Sequence, residues 1–234
     1  MDAIILAGGL GTRLRDTVPG VPKPLAPIAG KPFLDLLLSH LATVPNLNKV
    51  VLAIGHQAEQ IVSRYTSHSF GNFEIAFSVE DQPLGTGGAL KLAFPATQSD
   101  NVLVLNGDSF LGLDWSELIN SHKSLATLAA VRQHDVSRYG ELLTCHDTKC
   151  IQKFSEKGGI ARPGLINGGV YLFRRSVVDY FPAQETFSIE TDLFPKLLPI
   201  GIQAHEVHGK FIDIGTKDSY ALAQQVLKDL TERS

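Results

Sequence analysis

Ala3-Ile4-Ile5-Leu6-Ala7-Gly8-Gly9-Leu10-Gly11-Thr12-Arg13 sets an apolar run directly before a glycine-rich turn. The run from Ala3 to Leu6 reads as a buried first strand. A glycine turn leaving the carboxyl end of such a strand exposes backbone N–H groups, and these form a concave anion site suited to phosphate. Arg13 and the lysine of Pro22-Lys23-Pro24 can add full positive charges to the same polyphosphate. Two familiar glycine signatures do not fit. The P-loop needs a Gly-Lys-Ser/Thr ending, which is absent, and the dinucleotide fingerprint needs a third glycine where Leu14 stands.

Working outward, apolar β-rich runs alternate with helix-like segments. The spacing predicts a helix over 33–43 with Phe33, Leu36, Leu37 and Leu41 on one face, a strand over 49–54, a helix over 58–65 and a strand over 73–79. A helix over 87–94 and a strand over 102–105 complete a βαβαβαβ order. This predicts a mostly parallel sheet covered on both faces, with ligands bound at the carboxyl ends of its strands. Further strands are expected over 126–131, 140–144, 151–154, 168–173 and 203–207, a helical stretch near 192–198, and a closing amphipathic helix over 218–230.

With 234 residues, 44% hydrophobic and 19% charged, the chain can bury one substantial core. It is read as one domain over 1–234, with halves dividing near residues 115 and 116. A net charge of −3 argues against a nucleic-acid partner. No apolar run is long enough for a bilayer and nothing signal-like precedes the first strand, so no membrane association and a cytoplasmic location are expected. Cys145 and Cys150 read as thiols rather than half of a zinc site. The eight histidines show no zinc-helix spacing, and His205 and His208 fall on opposite faces of a strand.

Asn106-Gly107-Asp108 ends the strand over 102–105. A carboxylate there is costly to bury alone and needs solvent, a partner or a cation, which makes Asp108 the leading metal ligand. Asp213, within Phe211-Ile212-Asp213-Ile214-Gly215-Thr216, is the expected second. Magnesium commonly takes one or two carboxylates and completes its shell with substrate phosphates. Each aspartate could instead cap a following turn or helix. A third group is Glu80-Asp81-Gln82-Pro83-Leu84-Gly85-Thr86-Gly87-Gly88-Ala89, whose backbone can read a base edge with Gly85 permitting close approach, or which could simply start a helix capped by Thr86.

Gly8-Gly9-Leu10-Gly11-Thr12-Arg13 with Pro22-Lys23-Pro24 resembles the amino-terminal signature of sugar-phosphate nucleotidyltransferases, and the likeness runs over nearly the whole chain. It implies a three-layer αβα, Rossmann-like mixed α/β sheet of the nucleotide-diphospho-sugar transferase type with a small inserted sugar-binding lobe. It further implies that Leu6, Ala7, Gly8, Gly9, Gly11 and Thr12 bind the nucleotide together with Glu80, Gln82, Pro83, Gly85, Thr86, Asn106 and Gly107. Arg13, Lys23, Asp108 and Asp213 become catalytic, the two aspartates holding Mg²⁺.

For the sugar phosphate the resemblance implies Tyr139, Gly140, Glu156, Lys157, Asn167 and Gly168. The family's usual proline after the lysine of this motif is Gly158 here. The wording around Pro22–Leu34 and Pro83–Ala89 looks most like members that join GTP to D-glycero-α-D-manno-heptose 1-phosphate, supplying GDP-heptose for cell-surface glycans. Uridylyl transfer to N-acetylmuramate 1-phosphate, guanylyl transfer to a hexose 1-phosphate and a non-catalytic nucleotide-binding regulator remain as alternatives. Assembly into a homo-oligomer is left open.

Overall fold

This computed structural model describes residues 1–145, 149–154 and 161–231. Strand β1 spans Asp2–Leu6, and a hairpin of β2 (Pro27–Ile28) and β3 (Lys31–Pro32) leads into helix α1 (Phe33–Leu41). Then β4 (Lys49–Ile54), α2 (Ala58–Tyr65), β5 (Glu74–Val79), α3 (Gly85–Ala93) and β6 (Asn101–Asn106) complete the expected alternation. After them come β7 (Ser109–Leu111), α4 (Trp115–Ser121), β8 (Ala126–Gln133), β9 (Glu141–Thr144), β10 (Ile151–Phe154) and β11 (Gly164–Arg174). The chain continues through α5 (Phe194–Leu197), β12 (Ile202–Val207), β13 (Phe211–Asp213), α6 (Lys217–Val226) and α7 (Lys228–Thr231).

The sheet is the expected mixed one, with a parallel run of strands and antiparallel strands added beyond it. Strands β5, β4, β1 and β6 run parallel in that order, and β11 then pairs antiparallel with β6. Beyond β11 lie β9 and β10, both antiparallel, while β8 pairs with β11 antiparallel and carries β12 parallel on its other edge. The reason is connectivity. Parallel pairing needs a crossover, usually a helix, and none of the described residues between β8 and β11 forms one. β9 and β10 pair antiparallel and continue the main sheet.

Alternate side chains of each strand feed two separate cores. Ala3, Ile5, Val50, Leu52, Leu103, Leu105 and Leu172 pack on one face against α1, α2, α4 and α6. Ile4, Val51, Ala53, Val102, Val104, Tyr171 and Phe173 pack on the other against α3 and α5. This period of two over central strands, buried on both sides, makes a three-layer arrangement. Helix α1 buries Leu34 and Leu38 as well as the expected stripe, so it is apolar on most of its surface.

Helix α4 and strands β7 and β13 have no counterpart in the sequence reading. Helix α4 starts at an Asp114 cap whose carboxylate accepts from Ser116 and Glu117 N–H. β7 and β13 are three residues each and pair antiparallel. Strand β11 also starts earlier than expected, at Gly164, because Asn167-Gly168-Gly169 is a mid-strand irregularity and not a strand start. Gly169 has φ +73°, and a methyl group on it would fall 2.5 Å from Ser109 Oγ, so glycine lets β11 bend where it leaves β9 for β6. The closing helix is broken into α6 and α7 at Leu227.

Candidate active site

β1 and β6 are hydrogen-bonded neighbours with Leu6 opposite Asn106, so the glycine turn and Asp108 leave the same end of the sheet. Gly107 N–H donates to Leu6 O at 2.9 Å and ties the two turns together. Leu14, which occupies the third-glycine position of a dinucleotide loop, is 2% exposed and belongs to the core. No helix follows this loop directly; Lys23 instead starts a 3₁₀ turn, Lys23–Leu25.

The β7–β13 ladder brings in the second carboxylate. Asp213 is the register partner of Ser109, and Ile214 N–H donates to Asp108 O at 2.9 Å. Asp213 Oδ1 accepts from Gly215 N–H at 2.8 Å and Ser219 Oγ at 2.9 Å, and Oδ2 accepts from Tyr139 OH at 2.9 Å. Burial alone would raise this carboxyl, but the Gly215, Ser219 and Tyr139 hydrogen bonds outweigh it and hold it below its ordinary value. Burial, with the Asp213 charge, pushes the Tyr139 phenol up to about 12. Asp213 caps the turn to Gly215, as its alternative reading allowed, but it does not cap helix α6. Thr216 caps α6, in a reciprocal box with Ser219.

The charges converge on Gly215. A methyl group placed there would lie 2.9 Å from Asp213 Oδ1, 3.8 Å from Lys23 Nζ and 3.9 Å from Arg13 Nη2. Lys23 Nζ also donates to Asp108 Oδ2 at 2.6 Å. Two cations and two carboxylates thus surround one point at the strand ends.

Two cavities meet there. One, of about 470 Å³, takes in Leu6 through Arg13, Lys23, Asn106, Gly107 and Asp108, together with Glu80, Pro83, Gly85 and Thr86. The other, of about 960 Å³, takes in Arg13, Asp108 and Asp213 with Tyr139, Gly140 and Asn167. Gln82 is exposed and does not line the cavity, because Pro83 turns the chain inward only after it. Gly168 does not line the larger cavity: a methyl group on it would fall 2.8 Å from Ala129 O and from a Leu111 methyl, while Gly169, after the bend in β11, lines the cavity. Glu156 and Lys157 lie outside the described residues.

Helix α3 starts at Gly85 and has no side-chain cap; the Thr86 hydroxyl donates to Glu190 instead. Glu80 is raised by burial, opposed by the Leu84 N–H it accepts. Asn167 spans the bend, with Oδ1 accepting from Gly169 N–H and Nδ2 donating to Tyr171 OH, both at 2.9 Å. The sequence reading missed Arg138, Lys153, Glu190 and Thr191 on the larger cavity. Nothing local marks them. Gly215, by contrast, lies inside the quoted Phe211–Thr216 motif, and Ser219 follows it closely enough that the helix-cap pattern signals it.

The chain matches a known group along almost its full length. Residues 2–229 match the family model described as nucleotidyl transferase. The chain belongs to this nucleotidyl transferase family. It is 38% identical over 232 residues, 97% of this chain and 99% of the relative, to a D-glycero-alpha-D-manno-heptose 1-phosphate guanylyltransferase of Aneurinibacillus thermoaerophilus. To the enzyme of the same name from Campylobacter jejuni it is 37% identical, covering 94% and 97% of the two chains. HddC from Yersinia pseudotuberculosis, solved alone and complexed with GMP-PN, superposes with a TM-score of 0.85 at 35% identity over 96% of this chain and 98% of that one. The cavities of this nucleotidyltransferase lie at the strand ends, where open α/β sheets commonly bind ligands.

Proposed function

We propose that this nucleotidyltransferase joins GTP to D-glycero-α-D-manno-heptose 1-phosphate, releasing pyrophosphate and forming the GDP-sugar. The observation that carries the reading is the convergence of Arg13, Lys23, Asp108 and Asp213 where the two cavities meet. The likeness to heptose 1-phosphate guanylyltransferases supports the choice of substrates. A cytoplasmic setting and a product used for cell-surface glycans belong to the same reading.

In this reading a phosphate oxygen of the sugar phosphate, held in the larger cavity, attacks the α-phosphorus of the nucleotide held in the smaller one. The new P–O bond forms as the bond to the β-phosphate bridging oxygen breaks, and that electron pair leaves with pyrophosphate. Arg13 stabilises charge growing on the leaving phosphates, as a guanidinium fork does well. Lys23 exchanges Asp108 for the α-phosphate. Arg138 and Lys153 add positive charge to the acceptor cavity; the part of Lys157 rests on the resemblance alone.

Asp108 and Asp213 fit a magnesium ion in donor chemistry, being hard oxygens on one cleft. Among the described residues no group of three His, Cys, Asp or Glu is placed to hold a metal ion, which suits an ion completed by phosphate and water. Bound there, the ion supplies Lewis-acid neutralisation of phosphate charge. Pyrophosphate release measured with GTP, UTP and other triphosphates against heptose, hexose and N-acetylmuramate 1-phosphates tests the reading. GTP with the heptose phosphate should be fastest; UTP with N-acetylmuramate 1-phosphate being faster would replace it.

A further inference from the structure

Glu190 is a carboxylate that the phosphate chemistry does not use. It sits on a single π turn, Ile189–Leu193, just before α5, a backbone form frequent at functional positions. Ser188 caps this turn, its Oγ accepting from Glu190 N–H at 3.1 Å and Thr191 N–H at 3.3 Å. Glu190 Oε2 in turn accepts from Ser188 Oγ at 2.9 Å and from Thr86 Oγ1 at 3.0 Å, while Thr86 Oγ1 accepts from Ile189 N–H at 2.9 Å. The carboxylate is therefore held in one orientation by both the nucleotide-side helix and its own turn, as a preorganised binding group must be.

Its position is at the seam. Glu190 lines both cavities, a property shared only with Arg13, Asn106, Asp108 and Gly215 among the described residues. On the acceptor side its charge reaches the buried Tyr171 phenol, which is raised first by burial and then by Glu190, and Tyr171 is the partner of Asn167. A negative group here repels phosphate oxygens, so it is not a phosphate ligand. Nor is it part of a three-carboxylate metal cluster, since none occurs among the described residues. The smaller cavity has a second carboxylate, Glu80, packed against Gly8 of the glycine turn. What remains for Glu190 to accept from is a hydroxyl group.

We propose that Glu190 is a specificity-determining residue whose carboxylate accepts a sugar-ring hydroxyl lying across the seam of the two cavities. The proposal rests on the nucleotidyl-transfer reading above. The same chemistry serves the ribose of the nucleotide and the ring of the acceptor, and a hydroxyl-reading site rejects analogues that leave its polar group unpaired.

The test uses the full chain and the variants Glu190→Gln and Glu190→Ala. Calorimetric affinities and kcat/KM are measured for GTP, 2′-deoxy-GTP, 3′-deoxy-GTP and ITP, and for the acceptor 1-phosphate and its ring-deoxy forms. Charged hydrogen bonds of this kind correspond to about 10- to 100-fold in affinity. Wild type should therefore reject one deoxy analogue by about that factor, and Glu190→Ala should lose the discrimination by weakening only the parent substrate. Loss confined to the deoxy-GTP series assigns the ribose, and loss confined to the acceptor series assigns the acceptor.

Discrimination unchanged in both series, an equal defect with every substrate, or a change in GTP against ITP alone would overturn the proposal. If Glu190→Ala does not fold, Glu190→Gln retains an oxygen for Thr86 and Ser188 and decides the matter. Absence of pyrophosphate release by wild type with every sugar phosphate would instead sink the nucleotidyl-transfer reading, while the binding arms still report on Glu190.

Discussion

Lys23 Nζ lies 2.6 Å from Asp108 Oδ2, pairing the lysine proposed to meet phosphate with the first proposed metal ligand across 85 positions of sequence. The lysine side chain is 12% exposed and the aspartate 45%, so the pair is sheltered on one side and open to the cleft on the other. Each charge offsets the other before substrate arrives. Removing one partner of a sheltered pair leaves the second uncompensated, and this makes the two substitutions unequal.

Lys23→Met should weaken GTP binding by about 10- to 100-fold through the lost charged contact. It should at the same time strengthen binding of Mn²⁺ alone, because Asp108 no longer has a resident cation. Calorimetry with metal and nucleotide added separately checks both signs. Weaker Mn²⁺ binding would mean that the pair does not compete with a cation.

Asp213 should depend on its three donors. Ser219→Ala removes one of them and half of the α6 capping box, which together point to about 1–3 kcal/mol of lost stability in urea titration. Tyr139→Phe should cost less stability but lower kcat. Because the folded Asp213 carboxyl is below its ordinary value, its contribution is present above the unfolded carboxylate range and lost as pH falls through the lowered folded value. Both variants should move that acid loss to higher pH; an unmoved acid limb would dissociate these donors from Asp213.

The loop proposed to read the nucleobase should tolerate no side chain at Gly85. Its φ is +72°, and a methyl group would lie 2.7 Å from the Phe187 carbonyl oxygen, which is backbone and cannot swing aside. Phe187 O also accepts from Gly87 and Gly88 N–H, so displacing it frees the start of α3. Gly85→Ala should destabilise the protein by roughly 1–3 kcal/mol and weaken nucleotide more than sugar phosphate. Equal thermal stability with wild type would contradict this packing.

Two histidines should make the fold acid-sensitive. Burial lowers His40 to about 4 and lowers His122 to about 4, with Arg174 and Lys123 adding to the latter. Between the unfolded histidine value near 6.5 and the folded value the unfolded chain binds more protons, so stability falls as pH drops through that window. Each site contributes at most roughly 1.4 kcal/mol per pH unit. His122→Gln should flatten the slope of urea midpoint against pH from 6.5 to 4 while leaving the slope above pH 7 unchanged.

Sequence by itself determined the parallel half of the fold. β4 and α2 match their expected ranges because each is a strongly patterned segment whose side chains report burial directly. The glycine turn, Arg13, Lys23 and the two aspartates were legible because their chemistry is unusual beside apolar strands. Tertiary structure alone decided how those groups meet. β7 and β13 are too short for any periodicity, and only their pairing sets Asp213 beside Asp108. The bend at Gly169 follows from β11 exchanging one neighbour for another, so Gly168 and Gly169 cannot be told apart by their neighbours in sequence. Glu190 is an ordinary glutamate until the π turn and Thr86 hold it at the seam. Local pattern records which face of an element is buried; contacts between residues scores of positions apart depend on the packing of the whole chain, and those contacts build this site.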